Sequence, residues 1–253
     1  WARVRDYRET QIAKLDNIET FRESRLGADD VLDVAADHVV VATGSTWRRD
    51  GTGRFNMRPI PITAPDISVF TPDDIMAGNT PKGRVILFDD DLYYMGGALA
   101  EKLVKEGCDV VLVTPSNQVS PWCGYTSEQS RVQRRIIELG IEIITTHGLS
   151  AYDGKTATLS CVYTGRERAT QAPSLVLVTA RDPDDGLYYE LKDAMEQGRD
   201  GAPKTVRKIG DCDAPAIIAA AVYAGHRYAR ELDEEVDTDN PMKYDRVFFE
   251  DKA

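Results

Sequence analysis

The chain has 253 residues, 42% of them hydrophobic and 29% charged, with a formal net charge of -11. That length allows one large domain or two smaller ones, and the balance is that of a globular chain rather than a disordered one. The acidic excess excludes a nucleic acid or an anionic membrane surface as partner, because both require basic surface.

No apolar run approaches the roughly 20 residues of a membrane span, and no signal peptide is recognisable, so a cytoplasmic protein is expected. The four cysteines, Cys108, Cys123, Cys161 and Cys212, are scattered and form no C-x-x-C pair. They read as reduced thiols, and the clustered spacing of an iron–sulfur site is missing. The chain opens WARVRDYRETQIAKL, without Met and already in helical periodicity, as expected for a piece of a longer polypeptide.

The elements follow in order. A polar helix is expected over about Val4–Phe21, with Tyr7, Ile12 and Leu15 free to pack. A strand at His38–Ala42 runs into Thr43-Gly44, and its unbroken apolar run predicts burial on both faces, as in a parallel sheet. Five prolines between Pro59 and Pro81 then exclude a continuous helix or a central strand. That stretch reads as a linker holding a short helix at about Pro72–Ala77, capped by Thr71.

A compact alternation follows: strand Val85–Phe88, helix Met95–Glu106, strand Val110–Val113, helix Thr126–Leu139, strand Glu142–Thr145. This β-α-β-α-β spacing predicts a parallel, doubly wound sheet. Residues Ala157–Tyr163 are expected in an antiparallel hairpin or meander, and Ser174–Val178 in a further strand. The last part, VRKIGDCDAPAIIAAAVYAGHRYARELDEEV, reads as a strand, a turn and an Ala-rich helix, followed by an acidic, irregular tail from Asp233.

Two places carry candidate chemistry. In RVILFDDDLYYMGGALAEKL the outline of a dinucleotide-binding strand, turn and helix is present, but Asp89-Asp90-Asp91 stand where glycines are needed. Three carboxylates there obstruct and repel a pyrophosphate, so NAD(P)H binding is disfavoured. The alternatives for the triplet are a solvated acidic turn at a helix N-terminus or a divalent cation site. The second place is a pair of strand-end turns, VVVATGS and KIGDCDAP. Gly44 and Gly210 permit close backbone approach to a nucleotide, Asp211 is positioned to accept from a cofactor hydroxyl, and Pro215 is expected near the first turn of a helix facing phosphate. Loop geometry explains each turn equally well when taken alone.

The remaining candidates read as structural. His38, His147 and His226 have no partner motif for nucleophilic or metal chemistry. Cys123 is reactive only if exposed, Trp47 packs or stacks on a nucleotide, and Arg48 and Arg49 face phosphates or solvent.

RDYRETQIAKL, VVVATGSTWRRDG, VILFDDDLYYMGGALAEKL and IGDCDAPAIIAAAVYAGHRYAREL together resemble the trimethylamine, dimethylamine and histamine dehydrogenase family, across nearly the whole chain. The resemblance implies an α/β fold of two Rossmann-like, glutathione-reductase-like FAD/NAD-type domains, the first incomplete and interrupted by the second. Residues 1–80 and 204–253 would form the partial FAD/ADP-type domain and residues 81–203 an inserted, vestigial NAD(P)-type domain. It implies a parent enzyme with an N-terminal barrel carrying FMN and a 4Fe-4S cluster, both outside this chain. That parent would be a homodimer passing electrons from an amine to an electron-transferring flavoprotein. Thr43, Gly44, Gly210 and Asp211 match the family turns that hold ADP in place of FAD, although the main glycine-rich ADP loop is missing here, so ADP binding by this chain alone is expected to be weak or absent. Two other readings stand beside it: an NAD(P)H-dependent flavin oxidoreductase of the 2,4-dienoyl-CoA reductase type, or a non-catalytic module docking a redox partner.

Overall fold

The structure, a computed structural model, describes residues 2–63, 65 and 68–232. The expected acidic tail from Asp233 lies outside the described residues. The chain divides into two compact units, one of Trp1–Val41 with Gly186–Lys208 and the other of Ala42–Asp185 with Ile209–Ala253.

The first unit holds helices α1 (Ala2–Ile12), α2 (Ala28–Val34) and α6 (Gly186–Glu196), with strands β1 (His38–Val41) and β12 (Thr205–Lys208) paired in parallel. Helix α1 is shorter than its periodicity suggests and buries no residue. Strand β1 was expected to be buried on both faces. Only Val41 is, because β1 has a single partner strand and its other residues stay partly or fully open. Leu191 and Ala194 of α6 and Leu32 of α2 supply the buried contacts. Gly201 takes φ +74° so that its backbone can lie against the Leu32 carbonyl.

The second unit is built on five parallel strands in the order β3 (Val69–Phe70), β10 (Ser174–Val178), β4 (Arg84–Asp89), β5 (Asp109–Val113) and β6 (Glu142–Ile144). Side chains alternate across this sheet with the two-residue period of a strand. Val85, Leu87, Val110, Leu112, Val176 and Val178 face helices α3 (Pro72–Met76), α4 (Tyr94–Lys105) and α5 (Gln129–Glu138), with Ile75, Leu99, Leu103 and Ile136 completing that layer. Ile86, Phe88, Val111, Val113, Leu175 and Leu177 face the other way. There they meet Leu149, Tyr152 and Leu159 of an antiparallel sheet, β7 (His147–Tyr152), β8 (Thr156–Cys161) and β9 (Glu167–Gln171). A two-stranded antiparallel pair, β2 (Ser45–Trp47) with β11 (Arg181–Pro183), and helix α7 (Ile218–Glu231) complete the unit.

The expected fold class needs correction. The parallel sheet is not doubly wound: helices cover one face and a second, antiparallel sheet covers the other. Nor do the described residues form two Rossmann-like domains, because strands β1 and β12 stand as a pair rather than in an open sheet. An antiparallel hairpin or meander was expected here, but the local pattern of β7, β8 and β9 does not show that it covers one face of the parallel sheet. The meander itself, the short helix capped by Thr71 and the five principal strands and helices lie within a few residues of their expected positions.

Candidate functional site

Thr43 and Gly44 lie immediately before β2, and Gly210 and Asp211 open the short 3-10 turn Gly210–Cys212 ahead of α7. The structure brings the four together. The Thr43 hydroxyl donates to the Asp184 carbonyl, the Asp184 N–H donates to the Gly44 carbonyl at 3.0 Å, and the Cys212 thiol reaches the same Asp184 carbonyl at 3.4 Å. Gly44 has φ +89° and no atom within 4 Å of where a side chain would start, so its exposed face is open to a ligand. Gly210 has φ +63° and packs toward Ala221 of α7.

Asp211 is not a free acceptor. Its Oδ2 takes a 2.5 Å ion pair from Arg181 and a 3.4 Å bond from the Ser45 hydroxyl, and its Oδ1 accepts the Ala216 N–H at 3.0 Å. Arg181 also donates to the Ala216 carbonyl at 2.9 Å and lies 5.1 Å from the centre of the Trp47 ring. The pair is part-buried, and through these bonds the carboxylate ties the turn to Ser45, Arg181 and Ala216. Arg181 and Asp184 were not singled out in the sequence; the run RDPDD after a buried strand was the available signal. Removing the guanidinium with Arg181→Ala leaves Asp211 half-satisfied and is expected to cost about 1–2 kcal/mol in urea denaturation, with Arg181→Lys intermediate. An unchanged midpoint would remove this role from Arg181.

Other expected contacts resolve differently. Arg48 is committed to Asp50 at 2.5 Å and Asp182 at 2.8 Å, and these hydrogen bonds raise its pKa while Arg48 holds Asp50 down to about 2. Arg49 binds the Val69 carbonyl at 2.8 Å and Asp74, so both guanidinium groups serve protein partners rather than phosphate. Pro215 lies two residues ahead of Ile217, the N-cap of α7. Cys123 is buried, and burial pushes its thiol up to about 11. His38 pairs with the Thr205 hydroxyl at 2.8 Å, His147 with the Thr145 carbonyl at 2.7 Å, and His226 is exposed on α7.

The aspartate triplet departs most from expectation. Asp89 and Asp90 are 0% and 1% exposed, so the turn is not a solvated acidic one. The Asp89 carboxyl lies against Gly96, where a side chain would begin only 2.3 Å from its Cγ, and it accepts the Leu92 N–H at 3.0 Å. Burial is the chief cause that raises Asp89 to about 8 and Asp90 to about 6. Asp91 is also raised by burial, and Arg181 and Arg54 pull it back. At neutral pH Asp89 is therefore protonated and does not repel a phosphate; its effect is to fill the space beside the first turn of α4. Among the described residues no group of three or more His, Cys, Asp or Glu side chains is arranged to hold a metal ion.

Comparison with known proteins agrees with this architecture. The family described as OYE-like second alpha/beta domain matches residues 70–176. Dimethylamine dehydrogenase of Hyphomicrobium sp. (strain x) is 34% identical over a 271-residue alignment covering 97% of this chain and 36% of that protein. Histamine dehydrogenase from Rhizobium sp. 4-9 superposes with a TM-score of 0.89 at 45% identity, over 93% of this chain and 36% of its own. The 6-hydroxypseudooxynicotine amine oxidase (HisD) of Pseudomonas geniculata N1 follows at 0.84 and 39%, over 90% and 34%. The chain thus spans about a third of the length of these relatives. Over residues 70–176 the family match corrects the expected Rossmann-like domain to an OYE-like second α/β domain. Sequence and structure place the chain in the amine dehydrogenase family to which dimethylamine dehydrogenase and histamine dehydrogenase belong.

Proposed function

We propose that the chain is part of a longer amine dehydrogenase that oxidises the CH–NH group of an amine at FMN and passes electrons through a 4Fe-4S cluster to an electron-transferring flavoprotein. The observation that supports this reading most is the similarity to dimethylamine dehydrogenase along 97% of the chain. The 4Fe-4S cluster does not fit the described residues of this chain. Cys108, Cys123, Cys161 and Cys212 are dispersed through the fold, and no cluster-binding set occurs among the described residues. The redox centres therefore belong to the barrel that the family resemblance implies, and no step of the chemistry runs through the residues described above.

In this reading residues 1–80 and 204–253 form the adenine-nucleotide portion, and residues 81–203 the inserted domain. The chain's own task is to hold ADP as a structural group. The open backbone at Gly44 and the turn at Gly210 fit the approach of a phosphate, with Thr43 fixing the first turn and Asp211 the second. A cytoplasmic homodimer is the proposed setting. No helix among the described residues is long and apolar enough to cross a membrane.

The test uses the longer polypeptide and this chain side by side. The longer protein is expected to reduce a one-electron acceptor with dimethylamine, trimethylamine or histamine, whereas the isolated chain is expected to be inactive. Amine oxidation by the isolated chain, or NAD(P)H-dependent turnover without amine-dependent turnover in the longer protein, would overturn the reading. ADP release on denaturing the longer protein, reduced by Gly44→Val, separately checks the nucleotide assignment.

A further inference from the structure

In open parallel sheets, ligands bind in the crevice outside the carboxyl ends of the strands. In this protein the chain itself lies there. The Thr52 carbonyl accepts the N–H of Ala180, just beyond β10, at 3.0 Å. The Phe55 N–H donates at 2.8 Å to the carboxylate of Asp90, just beyond β4. Arg54 stands 5.7 Å from the centre of the Trp122 ring, in the turn that follows β5. The Asn56 amide donates at 2.8 Å to the Leu149 carbonyl in β7, the strand directly after β6. Three loops of the carboxyl edge and one strand of the antiparallel sheet are thus bridged by one five-residue segment, which folds on itself through a 2.8 Å bond from the Gly53 N–H to the Asn56 carbonyl.

The fit is close. A side chain at Gly53 would begin 2.2 Å from the Asp90 Oδ2 and 3.3 Å from the Thr179 Cβ. One at Gly148 would begin 1.8 Å from the Phe55 ring. Glycines that in a cofactor site admit a ligand here admit the chain's own backbone and ring. Beneath the segment Asp90 and Thr179 are 1% and 4% exposed. The Asp90 Oδ1 and the hydroxyls of Thr52 and Thr179 lie buried without a protein hydrogen-bond partner, which marks a polar crevice that has been covered.

We propose that Thr52–Asn56 is an intramolecular strap that closes the ligand crevice of the five-stranded sheet, with Asp90 as its catch and the Phe55 ring seated against Gly148. This goes beyond the amine dehydrogenase reading and does not depend on it. The strap assigns Asp90 a positioning role and predicts that a nucleotide is kept from this edge by occupation rather than by charge.

The experiment places a reporter under the strap of the full chain. The thiol introduced by Thr179→Cys is alkylated with N-ethylmaleimide, and labelling at that position is followed by mass spectrometry so that the native cysteines do not interfere. With Asp90 present, labelling is expected to be slow. Adding Asp90→Ala or Phe55→Ala should accelerate it at least tenfold, while Asp90→Asn, which keeps an acceptor for the Phe55 N–H, should leave it slow. Equal rates in folded Asp90→Ala and Phe55→Ala proteins would overturn the proposal. Two measurements on the unaltered chain stand independently of any variant. The Phe55 N–H should exchange at least a hundredfold more slowly than in an unstructured peptide, and NADH should show no saturable binding at micromolar concentration; free exchange or micromolar binding would each refute the strap.

Discussion

Replacing Gly96 with alanine is expected to destabilise the second unit by about 2–4 kcal/mol, even though alanine is the better helix former by up to about 1 kcal/mol. The cause is a single contact. A Cβ at position 96 would lie 2.3 Å from the Asp89 Cγ and 2.4 Å from its Oδ2, in a place where neither the strand end nor the first turn of α4 can retreat. The Asp89 side chain is fully buried between them. Trimming the other partner relieves the overlap, so Asp89→Gly with Gly96→Ala should recover at least half of the loss. Urea denaturation of the two single variants and the double variant measures the coupling directly. Additive losses would show that Asp89 and Gly96 do not share the space the structure assigns to them.

The same carboxyl makes stability depend on pH in an unusual direction. Burial raises Asp89 to about 8, helped by the charges of Asp91 and Asp90 and opposed by the Leu92 N–H; an aspartate in the unfolded chain titrates near 3.8. Between those values the folded protein holds a proton that the unfolded chain has released. The stability is therefore complete below about pH 4, falls as pH rises through the window up to about 8, and levels off above it. At 1.36 kcal/mol per unit of pKa difference the fall amounts to up to about 6 kcal/mol, and Asp90, raised to about 6, acts in the same direction over the lower part of the range. The urea midpoint of the unaltered chain is expected to drop between pH 5 and pH 8.5. Asp89→Asn should flatten that dependence, because the amide does not ionise. A midpoint that is constant or rising across the range would show that Asp89 is ionised in the fold.

These two effects meet in a segment whose sequence alone suggested a damaged cofactor motif. RVILFDDDLYYMGGALAEKL was legible as strand, turn and helix, because Val85, Leu87, Leu99 and Leu103 carry the two periodicities that bury one face of each element. The destination of the three aspartates was not legible. Local pattern places carboxylates in water; the nearby α4 glycine Gly96, together with β10 and the Arg54–Phe55 segment arriving from distant positions, removes the water from around them. The candidate turns show the same division. Thr43-Gly44 and Gly210-Asp211 were visible as small-residue strand ends, yet their meeting depends on Arg181 and Asp184, which carry no motif and come from a third place in the chain.

By itself the sequence determined the family and the order of the principal strands and helices, since both are written in local patterns and in stretches of matched residues. It also determined where the glycine turns fall. The tertiary structure decided which face of the parallel sheet meets helices and which meets the antiparallel meander, and it paired Asp211 with Arg181. It decided too that Asp89 and Asp90 are buried, and that the chain's own Thr52–Asn56 lies across the carboxyl edge. The physical reason is that exposure, protonation and occupancy are not properties of a residue: each is set by what is packed against it, and the neighbours that decide are far away in the chain.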